Sequence, residues 1–241
     1  MFTESASFYD AIYAFKDYDA EAAKIAAAIR ARAPGARTLL DVACGTGMHA
    51  RRLAGQHGFV VDGIDRDPVM VRLARAAHPA GRFVEGDMTG FDLGRRYDAV
   101  TCLFGSIGYL RTIDRVRLAL GCFRRHLALG GVIVVEPFFR PGVLEPDRVF
   151  SNKGVHDGVA VERVGRIELE DDGTGVRALF DYYIDRPDGR EHRREIHAFG
   201  LFTIDQMREA FLAEGLRPEY DDEGLIGRGL WMATADDGGV R

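Results

Sequence analysis

The chain has 241 residues, of which 46% are hydrophobic and 29% are charged, so it can bury a full core. Its formal net charge of −5 at pH 7 disfavours a nucleic-acid partner, because binding a phosphate backbone requires a basic surface. The sequence shows neither the basic and apolar regions of a signal peptide nor an apolar run as long as a membrane span. We therefore expect a cytoplasmic protein with no nucleic-acid or membrane partner.

The three cysteines are Cys44, Cys102 and Cys122. They are far apart along the chain, which suits a reducing compartment and excludes a disulfide framework. We expect all three side chains to serve packing.

The N-terminal segment, residues 8–18, is rich in aromatic side chains. In a helix, Tyr9 and Tyr13 would lie on one side, because residues four apart share a face. The segment is either a hydrophobic flap packed on the core or a lid over a cofactor and a substrate. An alanine-rich helix is predicted at residues 21–32, and a Pro-Gly pair ends it before the first strand.

A strand, a glycine turn and a helix follow one another around residue 45. The β-type run 38–42 contains Asp41 near its end, Gly45 and Gly47 follow, and helix-forming residues begin at Met48. Glycines let the backbone approach a ligand closely, and Asp41 can hold a polar group. The pattern predicts one half of a nucleotide-binding βαβ unit.

The second half of this unit is predicted at residues 59–65. Residues 59–64 are a strand, and Asp65 follows at its end, where a carboxylate can accept both hydroxyls of a ribose. The dinucleotide fingerprint would place a third glycine at Ala50, so a nicotinamide cofactor is disfavoured. A Gly-Lys-Ser/Thr phosphate loop is absent from the sequence as well.

The string Asp41-Val-Ala-Cys-Gly-Thr-Gly47 resembles motif I of the S-adenosylmethionine-dependent methyltransferases with a Rossmann-like fold. The resemblance implies that the cofactor is S-adenosylmethionine and that no metal is needed. Its methionine part would then lie along Gly45 and Gly47, and Asp65 would hold the ribose. A binding module or another nucleotide-dependent enzyme is the rival class.

The adenine is expected at the end of a third strand. That strand is predicted at residues 82–85, after a helix at residues 68–77, and a turn containing Asp87 and Met88 follows it. Asp87 could accept from the exocyclic amine, and the backbone N–H of Met88 could donate to a ring nitrogen. A turn-forming Gly-Asp pair is the alternative, but its position in the βαβ order favours adenine binding.

The fourth strand, residues 97–103, leads into a glycine-punctuated loop at the edge where ligands bind in open α/β sheets. Leu103 and Phe104 can bracket the sulfonium. Ser106 and Tyr109 are expected to point towards the methyl acceptor.

A helix is predicted at residues 112–128, ended by a Gly-Gly pair, and His126 in its last turn is expected to be a cap or a core contact rather than a base. Residues 132–135 are an all-apolar strand, typical of a parallel strand buried on both faces. Glu136 follows and either orients an amine or bonds to backbone. Phe138 and Phe139 then carry two aromatic rings out of the strand's end.

Three long β-type segments, residues 159–170, 176–185 and 190–202, are joined by turns and predict an antiparallel meander. They are too long and charged for central parallel strands, so we interpret them as an insertion that walls the substrate site, makes a dimer contact, or does both. His192 and His197 are five residues apart on one strand. They should point to opposite faces and cannot share a metal.

The C-terminal part begins with a capping box at residues 203–206, which starts a final helix. Residues 217–220 and 229–234 can form a closing antiparallel hairpin. Residues 236–241 are expected to be a frayed tail.

The predicted fold class is α/β, a Rossmann-like, doubly wound, mostly parallel sheet with a closing antiparallel hairpin and a three-stranded antiparallel insertion. A single domain, residues 1–241, is expected. Its parts are an N-terminal lid and helix, a cofactor-binding core, the insertion and the C-terminal part of the core, at residues 1–36, 37–139, 140–201 and 202–235.

The whole chain resembles the bacterial sugar N,N-dimethyltransferases that act on dTDP-linked amino sugars of the desosamine and mycaminose type. The likeness runs from about Tyr9 to Trp231. The strings that carry it are Lys16-Asp-Tyr18, Leu39 to Gly47, Gly86-Asp-Met88, Ala99-Val-Thr-Cys102, Ser106-Ile-Gly-Tyr-Leu110, Glu136-Pro137, Leu201-Phe-Thr203 and Gly227-Arg-Gly-Leu230. It implies a homodimer, contacts of Tyr18 and Arg228 with the nucleotide diphosphate, and Tyr109 beside the amine.

Two positions depart from the family. Phe138 and Phe139 stand where the family has tryptophans, and Phe2 stands about where it has a substrate-binding tyrosine. The first change keeps an aromatic wall, and the second removes a hydroxyl. Because strings in the C-terminal third also resemble uncharacterised small-molecule methyltransferases, N-, O- or C-methylation of another metabolite is the alternative.

The expected reaction is methyl transfer to a neutral amine, giving an N,N-dimethylated sugar for antibiotic biosynthesis. The cofactor already carries an activated methyl group, so positioning can supply about 7–11 kcal/mol of the barrier. No strong base is then required, and the sequence offers no convincing His–acid pair.

The expected catalytic residues are Tyr109 and Glu136. The expected cofactor site consists of Tyr13, Asp41, Ala43, Gly45, Gly47, Asp65, Met70, Asp87, Met88 and Leu103. The expected substrate site consists of Tyr9, Tyr18, Ser106, Tyr109, Phe138 and Arg228.

Overall fold

The computed structural model describes residues 5–235, and these contain six α-helices and eleven strands. The helices are α1 Tyr9–Ile12, α2 Tyr18–Arg32, α3 Met48–His57, α4 Pro68–Ala77, α5 Ile113–Arg125 and α6 Ile204–Ala213. The strands are β1 Thr38–Val42, β2 Val60–Asp65, β3 Phe83–Glu85, β4 Tyr97–Cys102, β5 Leu127–Val135, β6 Val149–His156, β7 Val159–Leu169, β8 Gly175–Arg186, β9 Gly189–Gly200, β10 Leu216–Asp221 and β11 Leu230–Ala235. The predicted tail at residues 236–241 and Phe2 lie outside the described residues.

Seven strands form one sheet in the order β10-β11-β5-β4-β1-β2-β3. Strands β1 to β5 are parallel, and β10 and β11 form the antiparallel hairpin that closes the sheet on β5. Successive residues of β1 face opposite layers, since Leu39 packs with α2 and α3 while Leu40 packs with α5 and α6. The predicted doubly wound, mostly parallel sheet is confirmed.

The predicted helix at residues 112–128 is shorter in the structure. Helix α5 begins after Thr112, whose side chain accepts a hydrogen bond from the N–H of Arg115, and it ends at Arg125. His126 is a core contact, because it is buried and stacks on Phe91. The chain then enters β5 at Leu127, because that residue already pairs with the start of β4.

The insertion is a four-stranded antiparallel sheet in the order β6-β7-β8-β9. Its three predicted strands are present, and β6 adds a fourth that the sequence did not indicate. The sequence of β6 is polar, with a glycine at position 154, so it lacks an apolar alternation. Pairing with β7 along its whole length holds it extended.

The inner face of the insertion sheet is apolar and packs against the N-terminal segment. Phe8 and Ile12 join a cluster that contains Val161, Phe180 and Ile184. The outer face carries ion pairs such as that of Arg194 with Asp181. The insertion sheet is therefore held over the parallel sheet by its inner face.

Within residues 5–235, no helix is long and apolar enough to cross a membrane. Cys44, Cys102 and Cys122 are buried free thiols, as expected for packing roles.

Candidate active site

A cavity of about 730 Å³ lies between the carboxyl ends of the parallel strands and the inner face of the insertion sheet. A small cavity of about 40 Å³ adjoins it at the end of β1. The predicted residues that line the large cavity are Tyr9, Tyr13, Ala43, Gly45, Asp65, Met70, Asp87, Met88, Ser106, Tyr109, Phe138 and Arg228. Those that line the small cavity are Tyr9, Tyr18, Asp41, Ala43, Gly45, Leu103 and Ser106.

The glycine turn brings two acids together. Asp41 is buried and accepts a hydrogen bond from Thr101 Oγ1 at 2.8 Å, and burial raises the pKa of its carboxyl to about 6. Gly45 adopts φ +55°, and a side chain there would meet open space. Its N–H donates to Asp65 Oδ2 at 2.8 Å, so the turn and the end of β2 are tied together.

Gly47 has a packing role in the structure. Its φ is +79°, and a Cβ there would lie 3.0 Å from the Cα of Ala74 in α4. Its missing side chain therefore lets α3 approach α4. Gly47 is not among the residues lining either cavity, so the linings do not support the predicted contact with the methionine part of the cofactor.

Asp65 lies at the end of β2, as expected for a ribose acceptor. Its Oδ1 accepts from the N–H of Asp67 at 2.9 Å, and its Oδ2 accepts from Gly45. Burial raises the pKa of the Asp65 carboxyl. Each carboxylate oxygen has a second lone pair, so Asp65 can still accept two hydroxyls.

Asp87 and Met88 line the cavity in the turn after β3. Asp87 Oδ1 accepts from the N–H and Oγ1 of Thr89, at 2.9 and 2.6 Å. Burial alone would raise the pKa of this carboxyl, but these hydrogen bonds and the charge of Arg115 lower it. Asp87 thus forms the turn with Oδ1, while Oδ2 lies 3.7 Å from Arg115 Nη2 and keeps a lone pair for a ligand, so the two interpretations are compatible.

The N-terminal segment is both a flap and a cavity wall. Phe8 and Ile12 pack on the insertion sheet, whereas Tyr9 and Tyr13 line the cavity with ring centroids 4.6 Å apart. The hydroxyl of Tyr13 accepts from Arg163 Nη1 at 2.7 Å, which joins the segment to β7.

Tyr18 lies in the small cavity beside Asp41 and His49, and not on the wall of the large cavity that holds Arg228. Burial raises the pKa of the Tyr18 phenol, which is therefore neutral at pH 7. The structure does not bring Tyr18 and Arg228 onto one wall, so a shared diphosphate contact does not follow from its geometry.

Glu136 is fully buried and lines neither cavity. Its Oε2 accepts from the N–H of Phe104 at 2.6 Å, and its Oε1 accepts from Arg228 Nη2 at 2.9 Å. Because the carboxylate is fully buried away from both cavities, the structure supports the expected bond to backbone and gives no contact that would support orientation of the amine. The carboxylate instead positions Arg228 and the loop after β4.

Tyr109 lines the large cavity and is backed by a His–acid pair that sequence reasoning missed. Its hydroxyl lies 2.8 Å from His197 Nδ1, and His197 Nε2 lies 3.2 Å from Glu195 Oε2. Residues 195 and 197 share a face of β9 because they are two apart. The sequence contains this spacing of two. Only the docking of β9 on the loop after β4, however, places His197 beside Tyr109.

His192, by contrast, is exposed and pairs with Asp181 on the outer face. The prediction that His192 and His197 point to opposite faces is confirmed. Among residues 5–235, no group of His, Cys, Asp and Glu could hold a metal ion.

Comparisons with known proteins agree with this geometry. A family model described as a methyltransferase domain matches residues 39–131. The dTDP-3-amino-3,6-dideoxy-alpha-D-glucopyranose N,N-dimethyltransferase of Streptomyces fradiae is 41% identical over 231 residues, which cover 95% of this chain and 89% of that enzyme. The chain belongs to the sugar N,N-dimethyltransferase family.

Solved structures give the same result. The enzyme superposes on Streptomyces venezuelae DesVI with a TM-score of 0.88 and 36% identity, covering 96% of this chain and 98% of that one. SAM-bound CalS10, an amino pentose methyltransferase from Micromonospora echinaspora, gives a TM-score of 0.80 and 37% identity, covering 91% and 92%. The enzyme is an S-adenosylmethionine-dependent methyltransferase.

The residues at the edge of the parallel sheet fit S-adenosylmethionine. Asp65 and Asp87 keep acceptor capacity for a ribose and an adenine amine, and the buried Asp41 can face an ammonium group from the small cavity. When bound, the cofactor supplies a methyl group activated by a sulfonium. The chain's task is to bind and orient the acceptor.

Proposed function

We propose that the enzyme methylates the amine of a dTDP-linked 3- or 4-amino sugar twice, to give the N,N-dimethyl product. The observation that carries this proposal is Arg228 in the wall of the large cavity. Its side chain is 8% exposed, and its Nη2 donates to Glu136 Oε1 at 2.9 Å, which fixes the guanidinium. A guanidinium fixed in a cavity wall can bind an anionic ligand such as a diphosphate through its remaining N–H donors.

The relatives support the same substrate class. The Streptomyces fradiae enzyme acts on a dTDP-3-amino sugar, and CalS10 is involved in calicheamicin biosynthesis. Because such relatives serve antibiotic pathways, we also place the enzyme in the biosynthesis of an antibiotic sugar.

The acceptor end of the cavity is aromatic. Phe138 and Phe199 stack with centroids 4.2 Å apart, and Phe199 lies 4.3 Å from the ring of Tyr109. Such walls can hold the apolar faces of a deoxysugar, while the Tyr109 hydroxyl can bond its amine. Fixing the amine in line with the methyl group can lower the barrier by about 7–11 kcal/mol.

We propose the following residue roles. Cofactor contacts are assigned to Tyr13, Asp41, Ala43, Gly45, Asp65, Met70, Asp87, Met88 and Leu103. Substrate contacts are assigned to Tyr9, Ser106, Tyr109, Phe138 and Arg228. We place Tyr18 with the methionine end of the cofactor, because it shares the small cavity with Asp41.

We also propose that the enzyme is a cytoplasmic, single-domain protein that forms a homodimer. The buried free thiols are compatible with a reducing compartment. The long edge strand β6 is a surface that a second copy could cover.

The substrate class is tested by thermal shift in the presence of S-adenosylhomocysteine, with dTDP, other nucleotides and free amino sugars as ligands. We expect dTDP to stabilise the enzyme and free amino sugars to have little effect, because the diphosphate contributes much of the binding. Mass spectrometry of a reaction with a dTDP-linked 3-amino sugar should then show addition of two methyl groups. No stabilisation by dTDP, together with activity on an unrelated metabolite, would contradict the proposal.

A further inference from the structure

We propose that Tyr109, His197 and Glu195 form a proton relay that takes the proton from the ammonium form of the acceptor before each methyl transfer. In this relay Tyr109 is the catalytic residue that touches the amine. His197 and Glu195 are positioning residues that act through it. This inference rests on the proposed function, in which the methyl acceptor is an amine, and it assigns the protein groups that take the proton from that amine.

The three side chains form a continuous line from the cavity into the insertion sheet. Tyr109 is 38% exposed and lines the cavity. Its hydroxyl lies 2.8 Å from Nδ1 of His197, whose side chain has no exposed surface. His197 Nε2 lies 3.2 Å from Glu195 Oε2, and the hydroxyl of Ser5 donates to Glu195 Oε1 at 2.8 Å.

The hydrogen-bond roles in this line follow from the charges. Burial would raise the pKa of Glu195, but the bonds from His197 and Ser5 lower it, so Glu195 is a carboxylate that only accepts. His197 Nε2 must then carry the proton. Burial lowers the pKa of His197, so the imidazole is neutral at pH 7 and its Nδ1 accepts from Tyr109.

Tyr109 is consequently held as a donor towards His197, with its oxygen lone pairs left for the cavity. Desolvation inside the cavity also raises the pKa of this phenol well above its usual value, so the hydroxyl keeps its proton at neutral pH. An amine or ammonium N–H in the cavity can donate to the phenol oxygen. That bond would turn the nitrogen's lone pair away from Tyr109.

Other groups around His197 set how readily it takes a proton. The charge of Arg163 on β7 disfavours the imidazolium, whereas Glu195 favours it. Tyr182 on β8 interacts with the same carboxylate, and Phe180 packs on the imidazole with centroids 5.2 Å apart. Burial thus destabilises the protonated form of His197, and the paired carboxylate of Glu195 stabilises it.

The proton step is balanced as follows. The acceptor ammonium gives one proton to the phenol oxygen of Tyr109, and the phenol gives its own proton to Nδ1 of His197. The products are a neutral amine with a free lone pair and an imidazolium paired with Glu195. After product release, the reverse transfer through Tyr109 returns the proton to water in the cavity. A second deprotonation is needed after the first methylation, because the product of that step is again an ammonium ion.

The test compares single-turnover rates of each methylation as a function of pH. The variants are Tyr109→Phe, His197→Gln, Glu195→Gln, the double variant Tyr109→Phe/His197→Gln and, as a control on the same strand, His192→Gln. His192 is exposed on the outer face of the sheet, away from Tyr109. Unchanged affinity for S-adenosylhomocysteine will show that each variant is folded.

We expect Tyr109→Phe and His197→Gln each to slow both transfers about tenfold, below the usual range for acid–base catalysis because water can also accept the proton. The double variant should be no slower than either single variant, since both break one relay. In His197→Gln, the inflection that follows protonation of His197 should disappear, and only the acceptor's own titration should remain. In Glu195→Gln, that inflection should move to lower pH, because losing the carboxylate lowers the pKa of His197 further. His192→Gln should match the wild type.

A second measurement needs no turnover. The pKa of His197, followed by NMR of the imidazole and assigned with His197→Gln, should lie below the usual value for histidine and fall further in Glu195→Gln. A His197 that is protonated at neutral pH would overturn the relay, as would additive effects of Tyr109→Phe and His197→Gln. If the wild type does not methylate a dTDP-linked amino sugar, the substrate proposal fails, and the NMR result still decides the relay geometry.

Discussion

At the scale of single residues, the cofactor end depends on carboxylates placed where parallel strands end. Asp41 and Asp65 lie at the carboxyl ends of neighbouring strands, and the N–H of Gly45 joins the turn after β1 to Asp65. Asp41 is buried and Asp65 is half-buried, and desolvation raises the pKa of each carboxyl. A desolvated carboxylate lowers the stability of the fold unless a donor or a ligand compensates its charge. Both acids therefore fit a role in cofactor binding.

The first prediction concerns the pH dependence of cofactor binding. The pKa of Asp41 is raised to about 6, so the carboxyl becomes neutral as the pH falls through that value. If Asp41 pairs with the ammonium of the methionine part, affinity for S-adenosylhomocysteine should be full above pH 6 and should weaken below it. Calorimetry of the wild type and Asp41→Asn measures this, and Asp41→Asn should bind weakly without the pH dependence. Wild-type affinity that does not change across this range would contradict the assignment.

The second prediction concerns Arg228. Its guanidinium lines the cavity, is held by Glu136 and lies over the rings of Phe104 and Phe139. Arg228→Ala should raise KM for the nucleotide sugar about tenfold, because hydrogen bonds to charged groups contribute about 1.5–3 kcal/mol. The effect on kcat should be smaller, since the diphosphate does not react. The control is Arg72→Ala, on the exposed face of α4, and equal KM values for the two variants would disprove the role.

At the scale of elements, one buried carboxylate joins three segments. Glu136 follows β5, bonds to the loop after β4 and pairs with Arg228 in the turn before β11. Its own side chain has no exposed surface, and that of Arg228 is 8% exposed. Removing one partner of a buried pair leaves an uncompensated charge, so this contact supports the shape of the cavity.

Glu136→Gln should therefore lower the free energy of unfolding by about 3 kcal/mol, the lower end for a broken buried pair. Urea denaturation with S-adenosylhomocysteine absent measures this change. Glu145→Gln, at an exposed position near the cavity mouth, is the matched control and should be neutral. A loss no larger than that of the control would show that the pair contributes little.

Helix α6 offers an independent test of an element predicted from sequence. Thr203 Oγ1 accepts from the N–H of Gln206, and the side chain of Gln206 accepts from the N–H of Thr203. Thr203→Ala should cost about 1 kcal/mol of stability, as is typical for an N-cap. Thr203→Ser retains the acceptor and should cost much less. Equal losses for the two variants would argue against the cap.

At the scale of the whole molecule, the insertion sheet has one covered face and one charged face. Its inner face closes the cavity, and its outer face is crossed by ion pairs such as those of Arg194 and Arg190. The edge strand β6 is different, because Val149 and Val155 on it are exposed. Unpaired backbone groups beside exposed valines favour pairing with another strand.

We therefore expect a homodimer at micromolar concentration by light scattering. Val155→Lys should shift the equilibrium towards monomer, because charge on an edge strand opposes pairing. Val143→Lys, an exposed loop position, should leave the dimer intact. A wild-type monomer would remove the prediction, and a dimer that tolerates Val155→Lys would place the interface elsewhere.

The sequence by itself determined the parallel core and its cofactor edge. The strand, glycine turn and helix around Gly45, and the acid at the end of β2, depend on local propensity and on patterns within a few residues. Asp65 and Asp87 were therefore predictable at the cavity, since parallel strands end on the same edge. The capping box of α6 was predictable for the same reason, because its partners are three residues apart.

Tertiary structure decided the features that depend on how distant segments dock. Gly47 serves helix packing because α4 passes within contact of it, and strand β6 exists because β7 pairs with it. Glu136 meets Arg228 across 92 residues, and Tyr109 meets His197 across 88. No local pattern encodes these contacts between distant residues, because they depend on the angle at which the insertion and the closing hairpin meet the parallel sheet.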